Sequence, residues 1–398
     1  MRILLANSVA AVLVCTGVTL LCFFAGLLAH GQDRTKRALI TSDEPPSKTF
    51  RTLLAVPAAL RLHSSNRSGT GRSRLDGAHT RGPDLVVEDG VFWSDRLESQ
   101  LPGGFSDTHA RVWRDKARSS RIISLEEGCG RATNRLATFS DNSKACVRFG
   151  INADQVQGEA LSYYLASLLE IPNLPPLVLS QVSFSNEQWS EVQAQVRDSQ
   201  WSENAVVSLT EFVSNLSGVV TPVPLRHEGR RLHPLSEDLR NRSQSELLEI
   251  VQWTDLILYD YLTANFDRLV SNLFSLQWDP RVMERDTRNL HRSADGGLVF
   301  IDNEAGLVHG YRVLGMWERY HDALLRSVCL FRRRTARRIW EMHRRQDAAE
   351  RLLERYVDNE PLAARLGFLS EEQARVLQAR VDHLYKHIAG CRKKYSRL

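Results

Sequence analysis

The apolar positions divide the chain into three stretches of different texture. Residues 3–28 carry no charge, and only Asn7, Ser8, Thr16 and Thr19 clearly interrupt the apolar run. About 20 such residues cross a bilayer. Residues 1–30 therefore read as a signal-anchor or, if the small residues near Ala29 and Gly31 offer a cut, as a cleaved signal peptide. Either way the rest of the chain enters the lumen, and an uncleaved segment with Arg2 on the cytosolic side is a type II anchor. Residues 31–82 have Ser, Pro, Gly and basic residues with little apolar order, the composition of a flexible stem. From about Pro83 short apolar runs appear, with Trp93 and Trp113, and a folded region begins.

Within that region two strand-like runs, 136–139 and 145–149, flank Ser140-Asp141-Asn142-Ser143, which predicts a β-hairpin. Val156, Ala160, Leu161, Tyr164, Leu165 and Leu168 recur at helical spacing until Pro172, predicting an amphipathic helix. Ser243 and Glu246 fit a capping box ahead of a long apolar stretch through Tyr261, a largely buried helix. Residues 289–293 and 295–297 read as loop, and 298–301 as a buried strand ending at Asp302. The remainder reads as helical, with Ser370 and Gln373 capping a last helix that ends near Gly390. The order predicts an α+β fold, a small β-plus-helix lobe over about 83–240 followed by a mostly helical lobe over about 241–398.

Composition adds little to this outline: 42% hydrophobic and 25% charged residues are ordinary for a globular chain. The formal charge of +5 changes the picture only through its location. Residues 31–80 hold nine Lys or Arg against four Asp or Glu, the whole excess, so the folded region is near neutral and a nucleic-acid partner is not indicated. Cys15 and Cys22 fall in the apolar segment, leaving Cys129, Cys146, Cys329 and Cys391, an even luminal set that suggests two disulfides. Three connectivities are open. The preferred one joins Cys129 to Cys146 across the hairpin and Cys329 to Cys391, tying back the last helix. Sequons at Asn66, Asn215 and Asn241 are consistent with luminal exposure, and no Cys/His spacing suits zinc.

Candidate chemistry lies in the second half. Asp267 and Asn272 stand five positions apart with Arg268 after the Asp, the spacing of a kinase catalytic loop. Asp302 follows an apolar strand, where a kinase places the carboxylate that holds its metal. Asp358-Asn359-Glu360 repeats the tripeptide Asp302-Asn303-Glu304 but follows a charged helical run and precedes Pro361, so it reads as a surface segment at a helix end. Upstream, Gly128-Cys129-Gly130-Arg131 precedes a strand and could cover phosphates with backbone donors. Lys144, Cys146 and Arg148 share one strand face, from which a cation could pair with Glu159 on the following helix.

Segments 129–131, 145–148, 154–159, 162–165, 252–257, 261–268 and 307–312 together resemble the four-jointed family, with the resemblance running from about Val91 to the C-terminus. It implies an atypical two-lobed protein-kinase-like fold related to the Golgi secretory kinases. The implied activity is phosphorylation of Ser or Thr in extracellular cadherin repeats of Fat and Dachsous type, in the Golgi lumen, using ATP with Mn²⁺ or Mg²⁺ and tuning planar cell polarity and growth. By the same resemblance Asp267 is the catalytic base, Asp302 a metal ligand, Asn272 a second metal or loop-ordering residue, and Glu159 the carboxylate of the kinase C-helix. Arg148 stands where ordinary kinases have Lys, which it does not replace like for like. Asn303-Glu304 replaces Phe-Gly, and Gly128 and Gly130 make an incomplete Gly-rich loop. These departures leave a second reading, a secreted ligand or pseudokinase acting by binding. A type II Golgi glycosyltransferase would suit the anchor and stem, but the chain has no Asp-x-Asp.

Overall fold

The computed structural model of the protein describes residues 86–226, 229–239 and 241–396. The apolar segment, the stem and the Asn66 sequon lie outside the described residues. No helix among the described residues is long and apolar enough to cross a membrane.

In chain order the strands are β1 Val87–Glu88, β2 Phe92–Trp93, β3 Ile122–Glu127, β4 Arg135–Phe139, β5 Lys144–Arg148, β6 Leu177–Gln181, β7 Val206–Glu211, β8 Ser217–Val220, β9 Asp286–Arg292 and β10 Leu298–Phe300. The helices of seven residues or more are α1 Asp107–Ser119, α2 Ala153–Leu168, α3 Gln244–Thr263, α4 Leu269–Ser275, α5 Leu314–Arg326, α6 Arg333–Arg345, α7 Ala348–Asn359 and α8 Glu371–Tyr395.

A five-stranded antiparallel sheet, β3-β4-β5-β7-β6, forms the small lobe. The predicted hairpin is β4–β5, with Asp141 accepting from the backbone N–H of Ser143 at 3.0 Å to close the turn. Alternation places Ala145 and Val147 in a core with Trp113, Ile122, Phe139 and Trp189. It leaves Lys144, Cys146 and Arg148 on the opposite face, as expected. Both disulfides are present, Cys129–Cys146 and Cys329–Cys391.

α2 departs from the amphipathic expectation. Gln157, Gly158, Glu159 and Ser162 are buried along with the apolar residues. The sheet covers one side of α2, while α7 and residues 303–305 cover the other. A Cβ on Gly158 would sit 2.7 Å from the carbonyl oxygen of Glu304, so only glycine admits this approach.

The helical lobe is built on α3, whose capping box forms as predicted and whose buried face runs from Leu247 to Thr263. Residues 289–292 of the expected loop 289–293 belong instead to β9, the middle strand of a second sheet β10-β9-β8. β9 pairs with β8 far upstream and with β10 across residues 293–297, and the left-handed backbone of Asn289 interrupts the alternation that would mark it as a strand. α8 runs through Gly390, the expected end, to Tyr395. One glycine costs a helix about 1 kcal/mol, and the buried Ile388, Cys391 and Tyr395 on either side offset it.

The lobe boundaries are narrower than the sequence suggested. β1 and β2 lie on the helical lobe, where Phe92 bridges Phe331 and the Trp93 indole donates to Thr254 at 3.2 Å. β8 pairs with β9, and Leu232 bridges Val328. The small lobe proper therefore runs from α1 to β7.

Candidate active site

A cavity of about 420 Å³ lies between the lobes. Val147, Leu177 and Phe300 give it apolar walls, and Thr210 to Val213, leading out of β7, form its back edge. Its roof is the β3–β4 turn, where Gly128, Cys129 and Gly130 all have positive φ. The Cys129–Cys146 disulfide staples this turn to β5, and Asn134 donates to the Cys129 carbonyl at 3.0 Å. The two glycines thus make the expected turn over the cavity, held rather than free.

Arg148 stands at the centre of the charged mouth. It donates to Asp302 and, at 2.5 Å, to Glu304, and its Nε lies 3.6 Å from Glu159. Arg131 from the roof also pairs with Glu304. Burial alone would favour loss of the Arg148 proton, but Glu159, Asp302 and Glu304 outweigh it and hold the guanidinium charged. The structure thus brings Arg148, Glu159 and Asp302 together as expected, and adds Glu304 and Arg131. The signal for Glu304 was its two-residue offset from Asp302: the tight turn of 303–305 folds it back onto the same cation.

Asp267 is half-buried beside a second cavity of about 340 Å³, which it lines with Phe266, Asp154, Arg131, Glu304 and His309. Its backbone N–H donates to Asn265 at 3.0 Å, and its carboxylate accepts from Asn289 at 3.0 Å. Arg268 points inward and is fully buried. It forms a two-pronged pair with Asp260 of α3, at 2.6 and 3.1 Å, and donates to the Ile301 carbonyl at 3.0 Å and to Asn303 at 2.9 Å. One guanidinium thereby fixes both the loop carrying Asp267 and the strand end carrying Asp302. Asp260 was legible as a charge inside an apolar helix, which must find a partner when buried.

Asn272 is not brought to the site: it is buried in α4 and lines neither cavity. The second tripeptide, 358–360, is not a surface segment throughout, since Glu360 is buried. It accepts from the Tyr164 hydroxyl at 2.6 Å and the Leu179 N–H at 3.0 Å and pairs with Arg118 at 3.3 Å, tying the end of α7 to the small lobe.

The profile of the Four-jointed box protein middle domain matches residues 108–394. The chain belongs to the four-jointed family. Four-jointed box protein 1 of Xiphophorus maculatus is 53% identical over 100% of both chains. A Drosophila melanogaster relative, named Extracellular serine/threonine protein kinase four-jointed, is 33% identical over 77% of this chain and 61% of its own length. The crystal structure of the Golgi casein kinase with Mn/ADP bound superposes with a TM-score of 0.51 at 13% identity, covering 76% of this chain and 82% of that one. The four-jointed fold is accordingly protein-kinase-like.

The four-jointed cluster suits a divalent cation. Three carboxylates face two arginines, and Glu159 Oε2 is buried with no hydrogen-bond partner among the described residues. Burial, only partly countered by Arg148, pushes the Glu159 carboxyl up to about 7. The sign of its effect on stability follows. A carboxyl whose folded pKa exceeds its unfolded one stabilises the fold below the unfolded value of 4.5, and that contribution is lost as pH rises through 7. Glu159→Gln, which mimics the neutral form, is therefore expected to gain stability relative to the metal-free wild type between pH 5 and 8, by on the order of 3 kcal/mol. Denaturant titrations of both proteins across that range measure it; a constant difference would mean that Glu159 stays ionised throughout.

Proposed function

We propose that this four-jointed chain is a serine/threonine protein kinase of the secretory pathway. It acts in the Golgi lumen or after secretion, using ATP with Mn²⁺ or Mg²⁺ to phosphorylate extracellular cadherin repeats of Fat and Dachsous type, and through them planar cell polarity and growth. The observation that carries this reading is the placement of Glu159 and Asp302 in the interlobe cavity, with Asp267 lining the second cavity and bonded to Asn289 of the first, in a kinase-like fold. The Drosophila relative's name and the Golgi kinase likeness point the same way.

In this reading the apolar walls take the base of the nucleotide, and Asp302 and Glu159 hold the metal. The bound cation supplies charge neutralisation on the transferring phosphoryl group. Arg148 and Arg131 add positive charge beneath the roof, while the disulfide holds that roof at a fixed height. Asp267 accepts the hydrogen bond of the acceptor hydroxyl and aligns its oxygen with the phosphorus. Asn215 and Asn241 are exposed at turns and open to glycosylation.

A second reading, a binding-only pseudokinase, is favoured by Arg148 bonding Asp302 and Glu304 where Lys is usual. The chain purified from the medium or lumen of producing cells is the material that separates the two. Incubated with labelled ATP, Mn²⁺ or Mg²⁺ and a panel of extracellular cadherin domains, it is expected to label Ser or Thr in at least one of them. No label from protein that binds the same domains would favour the pseudokinase.

A further inference from the structure

The spacing that marks Asn272 leaves the catalytic loop without its asparagine, because that residue is buried in α4. A different asparagine faces Asp267. Asn289, from β9, donates through Nδ2 to the Asp267 carboxylate at 3.0 Å and lies 3.4 Å from the Asp267 carbonyl oxygen. It also lines the large cavity together with Asp302. Its backbone sits at φ 57°, a left-handed conformation that asparagine, aspartate and glycine adopt with least strain. That backbone is held on both sides: the Asn289 carbonyl accepts from the Ile301 N–H at 3.1 Å and from Arg268 at 3.5 Å. Asn289 is therefore anchored to the strand end that carries Asp302 while its side chain grips Asp267.

We infer that Asn289 is the positioning residue of the catalytic loop, in the place that sequence spacing assigns to Asn272. It occupies one oxygen of Asp267 with a donor, leaving the other for the acceptor hydroxyl. It also sets the distance between Asp267 and Asp302 by joining the segments that bear them. The inference rests on the kinase reading.

Two substitutions separate the donor from the backbone. Asn289→Gly keeps the left-handed conformation and removes the side chain. Asn289→Asp keeps both conformation and shape but turns the donor into a second carboxylate oxygen facing Asp267. Thermal melting shows whether each variant folds, and steady-state transfer to the cadherin domain labelled by the wild type gives kcat and KM. Both variants are expected to melt close to the wild type, with kcat down on the order of 10²-fold and little change in KM for ATP or acceptor. Wild-type kcat in either variant overturns the inference, as does a loss confined to the KM for ATP or matched by a collapse in melting temperature. An inactive wild type, by contrast, fails the kinase reading itself and this inference with it.

Discussion

Asp302→Asn is expected to abolish phosphate transfer while leaving the fold intact. Asp302, two residues past β10, has a left-handed conformation, φ 58° and ψ 53°, which asparagine also tolerates. The substitution removes one of three carboxylates from Arg148, and Glu159 and Glu304 remain to balance the guanidinium. What disappears is the negative charge at the cleft mouth that, on the proposed reading, would hold a divalent cation against phosphate. A lost electrostatic contact of this kind costs catalysis about 10³-fold. Initial rates over a Mn²⁺ titration, with melting as the folding control, measure it. Near-normal rates at saturating metal would remove Asp302 from the metal site.

The second large effect is on stability. Asp260→Ala is expected to cost about 3–5 kcal/mol, because it strands the fully buried Arg268 cation without its carboxylate. That is a large share of the roughly 5–15 kcal/mol that holds a typical domain together, so secreted yield should fall as well. Pairing the change with Arg268→Met removes the stranded charge and should recover part of the loss in denaturant titrations, though not the alignment of Asp267. A loss below about 1 kcal/mol in the single variant would mean that water reaches Arg268, against its burial.

Local signals carried much of this structure and failed where contacts are long-range. The β4–β5 hairpin, α3 with its capping box and the strand before Asp302 were legible because turn residues, caps and periodicity act within a few positions. The even cysteine count suggested two disulfides and left three connectivities open, of which the preferred one formed. Arg148, Glu159 and Asp302 could be placed near one another through strand alternation and the family resemblance. Asn289 could not: its left-handed backbone hides the period of β9, and Asp267, which it bonds, lies 22 residues upstream. The pairing of Asp260 with Arg268 spans only eight residues but crosses from α3 into the following loop, where helical spacing does not predict it; a charge in an apolar helix was the one signal that some partner existed. α2 misled for the opposite reason. Its apolar spacing predicts an amphipathic helix with a polar outer face, whereas α7 and the turn at 303–305 bury that face.

The burial of α2 bears on timing. Many kinases idle by swinging the helix that carries their glutamate away from the active cleft, and resume when something pushes it back. Here Tyr164 is bonded to Glu360, Ser167 to Arg355, and Gly158 lies against the backbone of residue 304. These contacts fix α2 with Glu159 turned toward Arg148, so on the proposed kinase reading the glutamate is already in its working position. On that reading the amount of acceptor modified would follow how many copies of the chain are made and how long the acceptor stays beside them.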